Sequence, residues 1–184
     1  NASNTPAALA AFQERTTGAD GTVFDVTITD RTEATALIAV QGPASEAVLL
    51  EAVEAQSAQA VKDVKYYAIT DAVFTTPEGP LPVQLARTGY TGEDGFEIYI
   101  DIESDPTAAE RLWSVLEKVG EPHGLVPCGL AARDSLRLEA GMPLHGHELS
   151  EDINPYQANL PIVALKTKDS FVGREALAKI KEEG

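Results

Sequence analysis

The sequence predicts an α+β domain: an antiparallel sheet with helices packed against it. Three observations predict it. Several short runs between residues 23 and 101 alternate apolar and polar side chains with a period of two. Other stretches, before, among and after them, repeat their apolar residues at helical spacing. The two kinds of segment do not alternate regularly, as a doubly wound parallel sheet would require. At 184 residues and 43% hydrophobic, the chain can bury an ordinary core. It is expected to form one domain over 1–184, or two small lobes, 1–60 and 61–184, sharing that core.

Taken in order, Asn4-Thr5-Pro6 reads as a helix start, a capping side chain before a proline near the first turn, with the helix running over Ala7–Arg15. Val23–Ile28 alternates as a strand, and Ala36–Val40 is a second strand. Gln41-Gly42-Pro43 punctuates, and Ala44–Val53 has the period of an amphipathic helix. Lys65–Thr76, rich in aromatic and β-branched residues, predicts one or two strands. A turn at Pro77–Pro80 leads to a strand over Pro82–Thr88, a glycine-rich connection over Gly89–Gly95 and a partner strand over Phe96–Asp101. Helices follow over Thr107–Val119 and Gly129–Ala140. Residues Leu144–Leu160 are polar and irregular, and Phe171–Glu182 is a charged terminal helix.

Composition narrows the function classes. Lys and Arg number 14 against 29 Asp and Glu, a formal charge of −15. A surface this acidic lacks the broad basic face that nucleic acid or an anionic membrane needs, so neither is expected as a partner. No apolar run approaches the roughly 20 residues of a membrane span, and no secretory leader pattern opens the chain. The start at Asn1 without a methionine suggests an excised segment. The single cysteine, Cys128, excludes an internal disulfide and a multi-cysteine zinc site, which suits a cytoplasmic location.

The densest functional signal is Thr88–Glu97, TGYTGEDGFE, with glycines at 89, 92 and 95. Such glycines permit positive φ and a close approach of backbone to a ligand. The spacing is not that of a dinucleotide fingerprint, and a strand follows where that motif needs a helix; no Gly-Lys-Ser/Thr marks a phosphate loop. On the outgoing strand Phe96, Ile98 and Ile100 share one face, and Glu97, Tyr99 and Asp101 the other. A carboxylate at Glu97 near an aromatic ring at Tyr90 suits a flat heterocycle with adjacent N–H donors. On spacing alone, a surface hairpin with an acidic tip is the simpler reading.

The stretch Arg87–Ile98 closely resembles a signature of the glycine cleavage T-proteins, the aminomethyltransferases. Cys128–Gly141 resembles a second signature, in the right order and at the right separation. Ala39-Val-Gln-Gly-Pro43 and Phe171–Leu177 are similar to two further segments, and Asn1–Asn4 to a stretch that lies well inside the family's chains. The resemblance implies the ferredoxin-like central region of the T-protein folate-binding fold. It implies an enzyme that takes the aminomethyl group from the lipoyl arm of the H-protein, releases ammonia and passes the carbon to tetrahydrofolate, with no metal. On the matching positions, Tyr90, Glu97 and Arg133 would line the folate site, and Asn1 would touch it as well. The family's catalytic aspartate lies upstream of the matched stretch, so no catalytic residue is carried over, and its C-terminal barrel domain lies beyond it; the chain alone is expected to be inactive. Two relatives stay open: non-catalytic folate-binding modules of iron–sulfur assembly and tRNA modification, whose Lys-Gly-Cys-Tyr motif is missing here, and the folate domain of flavin-dependent demethylating oxidases. A departure is Leu144-His145-Gly146, where the family often has tyrosine.

The remaining features carry blander readings. His145 and His147 with Glu148, Glu151 and Asp152 lack a third ligand at fixed spacing and read as loop residues. Cys128 before a helix reads as a small buried residue. Trp113, with Leu112 and Leu116, reads as core, and Arg137, four residues after Arg133, as a structural ion pair.

Overall fold

The structure, a computed structural model, describes residues 2–18, 20–160 and 164–183. It divides into two compact units, Phe12–Met142 and the described parts of Asn1–Ala11 with Pro143–Gly184.

The larger unit is built on a four-stranded, wholly antiparallel sheet in the order β1-β4-β3-β2, with β1 at Thr35–Gln41, β2 at Ile69–Thr76, β3 at Gly79–Ala86 and β4 at Gly95–Asp101. Strands from before and after residue 60 therefore share one sheet. Period-two alternation gives it one buried face: Ile38 and Val40, Phe74, Val83 and Leu85, and Phe96, Ile98 and Ile100 all point inward. Helix α1 (Thr5–Glu14) runs across the division between the units; of the larger unit's helices α2 (Ser45–Ala52), α3 (Ala58–Asp63), α4 (Ala108–Gly120) and α5 (Leu130–Glu139), α2, α3 and α4 pack on the inward face. Their contribution to the core is Val48, Leu49, Val61, Leu112 and Leu116. Burying each such side chain stabilises the fold by roughly 1.5–3 kcal/mol. The opposite face carries Leu37, Ala39, Glu97, Tyr99 and Gln84 and is not covered by these helices.

Two prolines sit inside β3 without breaking it. Pro80 and Pro82 pair with Thr75 and Val73 of β2, while pairing with β4 begins only at Gln84. The Arg87 amide donates to Ala68 O on the β2 side, so by alternation the even positions of β3 turn toward β4. The prolines thus stand where an amide would find no partner, which is where a strand tolerates them.

Most predicted elements are present within a few residues, with some differences. The strand predicted at Val23–Ile28 is irregular: Val23 makes a single bridge to Thr17, and the Val26 amide curls back to Phe24 O at 2.9 Å. Among the described residues its alternation has no neighbouring strand to satisfy the backbone, and Val23, Phe24 and Val26 are exposed. Trp113 is not core. The buried stripe of α4 runs Ala108, Leu112, Leu116, Gly120 at every fourth residue, and Trp113, about 100° further round the helix, is 43% exposed. Helix α3 was not predicted, being six residues long with one large apolar side chain, Val61.

In the smaller unit, residues 143–160 form turns, as expected of that stretch. Asn154 Oδ1 accepts the amides of Tyr156 and Gln157 at 3.0 Å, and Gln157 Oε1 accepts that of Asn154. Helices α6 (Ala164–Thr167) and α7 (Arg174–Glu183) follow. Among the described residues no helix is long and apolar enough to cross a membrane.

Candidate functional site

The β3–β4 connection is fixed at its base by Arg87. Its guanidinium donates from Nε to Asp94 Oδ1 at 2.9 Å and from Nη2 to Asp94 Oδ2 at 2.5 Å, reaches Glu46 of α2 at 2.9 Å, and lies 5.0 Å over the Phe96 ring. The bidentate geometry suits a planar fork meeting a carboxylate. Hydrogen bonding from Arg87 holds the Asp94 carboxyl below the ordinary range, against the opposing effect of burial, and Asp94 in turn raises Arg87. Asp94 is thus not a free charge at an acidic tip. Sequence reasoning gave this pair no role; its only signal is an arginine ending one strand and an aspartate just before the next.

Glu97 sits on the open face of β4, directly between Ala39 of β1 and Ala86 of β3. Two alanines on either side leave the sheet surface low around the carboxylate, with Leu37, Tyr99 and Gln84 forming the next row. The Thr88 hydroxyl donates to Glu97 Oε2 at 2.5 Å, and Oε1 has no partner among the described residues. One oxygen is held and one is offered. Partial burial, and secondarily the charge of Glu97, push the Tyr99 phenol up.

Tyr90 and Arg133 meet through α5. The loop lies directly on the C-terminal end of that helix: Gly92 has φ +81°, and a Cβ there would come within 2.7 Å of Ala140 Cβ. Tyr90 then donates to Met142 O at 3.4 Å, and the Arg133 guanidinium lies 5.0 Å over its ring, an attractive cation–π geometry. Arg137, only 3% exposed, pairs with Asp134 and donates to Met142 O at 3.2 Å. The two arginines therefore separate, Arg133 over an aromatic face and Arg137 inside. Tyr90 and Arg133 come together, while Glu97 stands at the root of the same hairpin on Thr88. Asn1 lies outside the described residues. Glu97 thus offers a carboxylate acceptor, and Tyr90 with Arg133 an aromatic ring and a cation, groups suited to binding a flat, polar ring.

Other groups resolve differently. Cys128 is exposed rather than buried, because it lies in the loop before α5 and on a groove of about 610 Å³ lined by Leu37, Trp113, Val126, Leu130, Arg133 and Leu136. His123 pairs with Glu51 at 2.7 Å. Among the described residues no three His, Cys, Asp or Glu side chains converge to hold a metal ion. Tyr66 and Tyr67, both exposed, stack edge to face at 4.3 Å beside the Arg87 strand end, with Tyr67 at φ +62°.

Comparison with known proteins agrees with this organisation. Residues 1–168 match the family described as the GCVT N-terminal domain. An aminomethyltransferase of Streptomyces avermitilis is 48% identical over 180 residues, which cover 97% of this chain and 44% of that protein. One from Corynebacterium aurimucosum is 45% identical over 184 residues, covering 100% of this chain and 46% of that protein. The crystal structure of glycine cleavage system aminomethyltransferase T from Bartonella henselae superposes with a TM-score of 0.67 at 28% identity, covering 100% of this chain and 45% of that one. The chain spans slightly less than half the length of these relatives.

Proposed function

This chain belongs to the GCVT N-terminal domain family, and from that premise we propose that it supplies one wall of the tetrahydrofolate site of an aminomethyltransferase. The enzyme moves a one-carbon unit from the aminomethyl-lipoyl H-protein to tetrahydrofolate and releases ammonia. Glu97 accepts from the ring N–H or amino group of the pterin, Tyr90 supplies an aromatic face and Arg133 the positive end of the lining. The observation that carries the reading is Glu97 itself: a carboxylate with one oxygen anchored by Thr88 and the other offered between two alanines on an open sheet face. Such a group accepts donors along the edge of a flat ring.

On this reading Tyr90, Glu97 and Arg133 bind and orient, and the transfer step uses groups other than these three. With the chain spanning less than half the length of its relatives, the reading expects the isolated chain to be inactive. An exposed, unpaired Cys128 supports a cytoplasmic setting. The test is Glu97→Gln in the full-length protein. Loss of a hydrogen bond to a charged acceptor, about 1.5–3 kcal/mol, corresponds to a Kd for tetrahydrofolate weakened roughly 10- to 100-fold in calorimetry. An unaltered Kd, or methylene transfer by the isolated chain, would overturn the reading.

A further inference from the structure

Two of the three hairpin glycines do not adopt the backbone conformation that glycine alone allows. Only Gly92 has positive φ; Gly89 and Gly95 do not. What they lack is room, since a Cβ on either would run into the side-chain amide of Gln41. Gln41 ends β1, pairs in register with Gly95, and sends its side chain into the space the two glycines leave. Its Nε2 donates to Thr88 O at 3.1 Å on one arm of the hairpin and to Phe96 O at 3.2 Å on the other, while its Oε1 accepts from Thr91 Oγ1 at 3.4 Å in the loop. Two carbonyl partners fix which end of the amide carries the nitrogen. The next residue continues the seam, with the Gly42 amide donating to Asp94 O at 2.8 Å.

We infer that Gln41 is the positioning residue of this site: its amide latches both arms of the hairpin and sets the place of Glu97 and the loop that carries Tyr90. Thr88, whose carbonyl it binds, holds Glu97 by its hydroxyl, and Phe96, whose carbonyl it also binds, precedes Glu97 in β4. Gly89 and Gly95 are small to admit the latch, not to admit a ligand. Glutamate cannot replace it, because a carboxylate would face two carbonyl oxygens; a purely apolar side chain would forfeit both bonds and take from Thr88 O its donor. The role rests on the folate reading above, and the test separates the two.

The full-length protein is compared with its Gln41→Met, Gln41→Glu and Gly95→Ala variants. Amide hydrogen exchange is followed across residues 88–96, with tetrahydrofolate as the binding probe. Exchange across 88–96 is expected to quicken at least tenfold and tetrahydrofolate to bind at least fivefold more weakly, while exchange in β2 stays slow and reports an intact fold. Unchanged exchange at 88–96 in a folded variant overturns the latch, whatever happens to binding. Faster exchange with unchanged binding overturns the positioning role if Glu97→Gln still weakens binding. If Glu97→Gln is silent too, the folate reading has failed, and the latch is decided by exchange alone.

Discussion

The Arg87–Asp94 pair makes the most direct prediction about a single residue. Asp94 is partly exposed, so solvent screening reduces the worth of the pair, and Asp94→Asn is expected to cost about 1–2 kcal/mol at neutral pH for a charge-assisted, bidentate contact. The sign of its pH dependence follows from the lowered Asp94 carboxyl. Stability from a depressed carboxyl is fully present above its unfolded value, about 3.9, and is lost as pH falls through the lower folded value. The stability gap between the native protein and Asp94→Asn, measured by urea unfolding, should therefore be flat from pH 5 to 8 and close in stronger acid. A gap that widens on acidification would contradict the assignment. At the loop tip, Gly92→Ala imposes positive φ on a side chain and pushes it against Ala140, and is expected to destabilise by about 1–3 kcal/mol. A silent Gly92→Ala in thermal unfolding would mean that the loop does not rest on α5.

Among the elements, those with tertiary partners for their pattern were legible in the sequence, and the exceptions share a cause. β4 was readable because its inward row Phe96, Ile98, Ile100 meets a real core, and Glu97 was placed on the open face by the same parity. Val23–Ile28 has equally good alternation and no neighbouring strand among the described residues, so pattern without a partner misled. Trp113 failed for a related reason: several apolar residues of α4 lie near one another on the helix, and only the four-residue stripe Ala108–Gly120 decides which row is buried. The site was half legible. Glu97, Tyr90 and Arg133 are proposed through the resemblance, whereas Gln41 and the Arg87–Asp94 clamp act between segments some fifty and seven residues apart, a pairing no local pattern carries. The contrast is measurable: Phe96→Ala, in the core, is expected to cost about 3–5 kcal/mol, and Trp113→Ala under about 1 kcal/mol, as surface changes usually do. Comparable losses at both positions in chemical denaturation would place Trp113 back in the core.

For the molecule as a whole, the packed core and the proposed binding groups are kept apart. In the larger unit α2, α3 and α4 pack on one face of the sheet, and of the side chains read as binding groups Glu97 lies on the other face, Tyr90 on the adjoining hairpin and Arg133 on α5. One feature of that sheet also bears on how the protein behaves in a crowded solution. Pro80 and Pro82 turn toward the stretch of β3 that β4 leaves uncovered. A foreign strand arriving there would seek amides to donate, and at two successive outward positions it would find pyrrolidine rings. The gap in the sheet is thereby closed to strand addition by neighbouring molecules, the route by which open edges seed aggregation. Replacing both prolines with threonine would restore those donors without altering the residues around Glu97, and should raise the rate of concentration-dependent aggregation seen by light scattering while leaving tetrahydrofolate binding as it was.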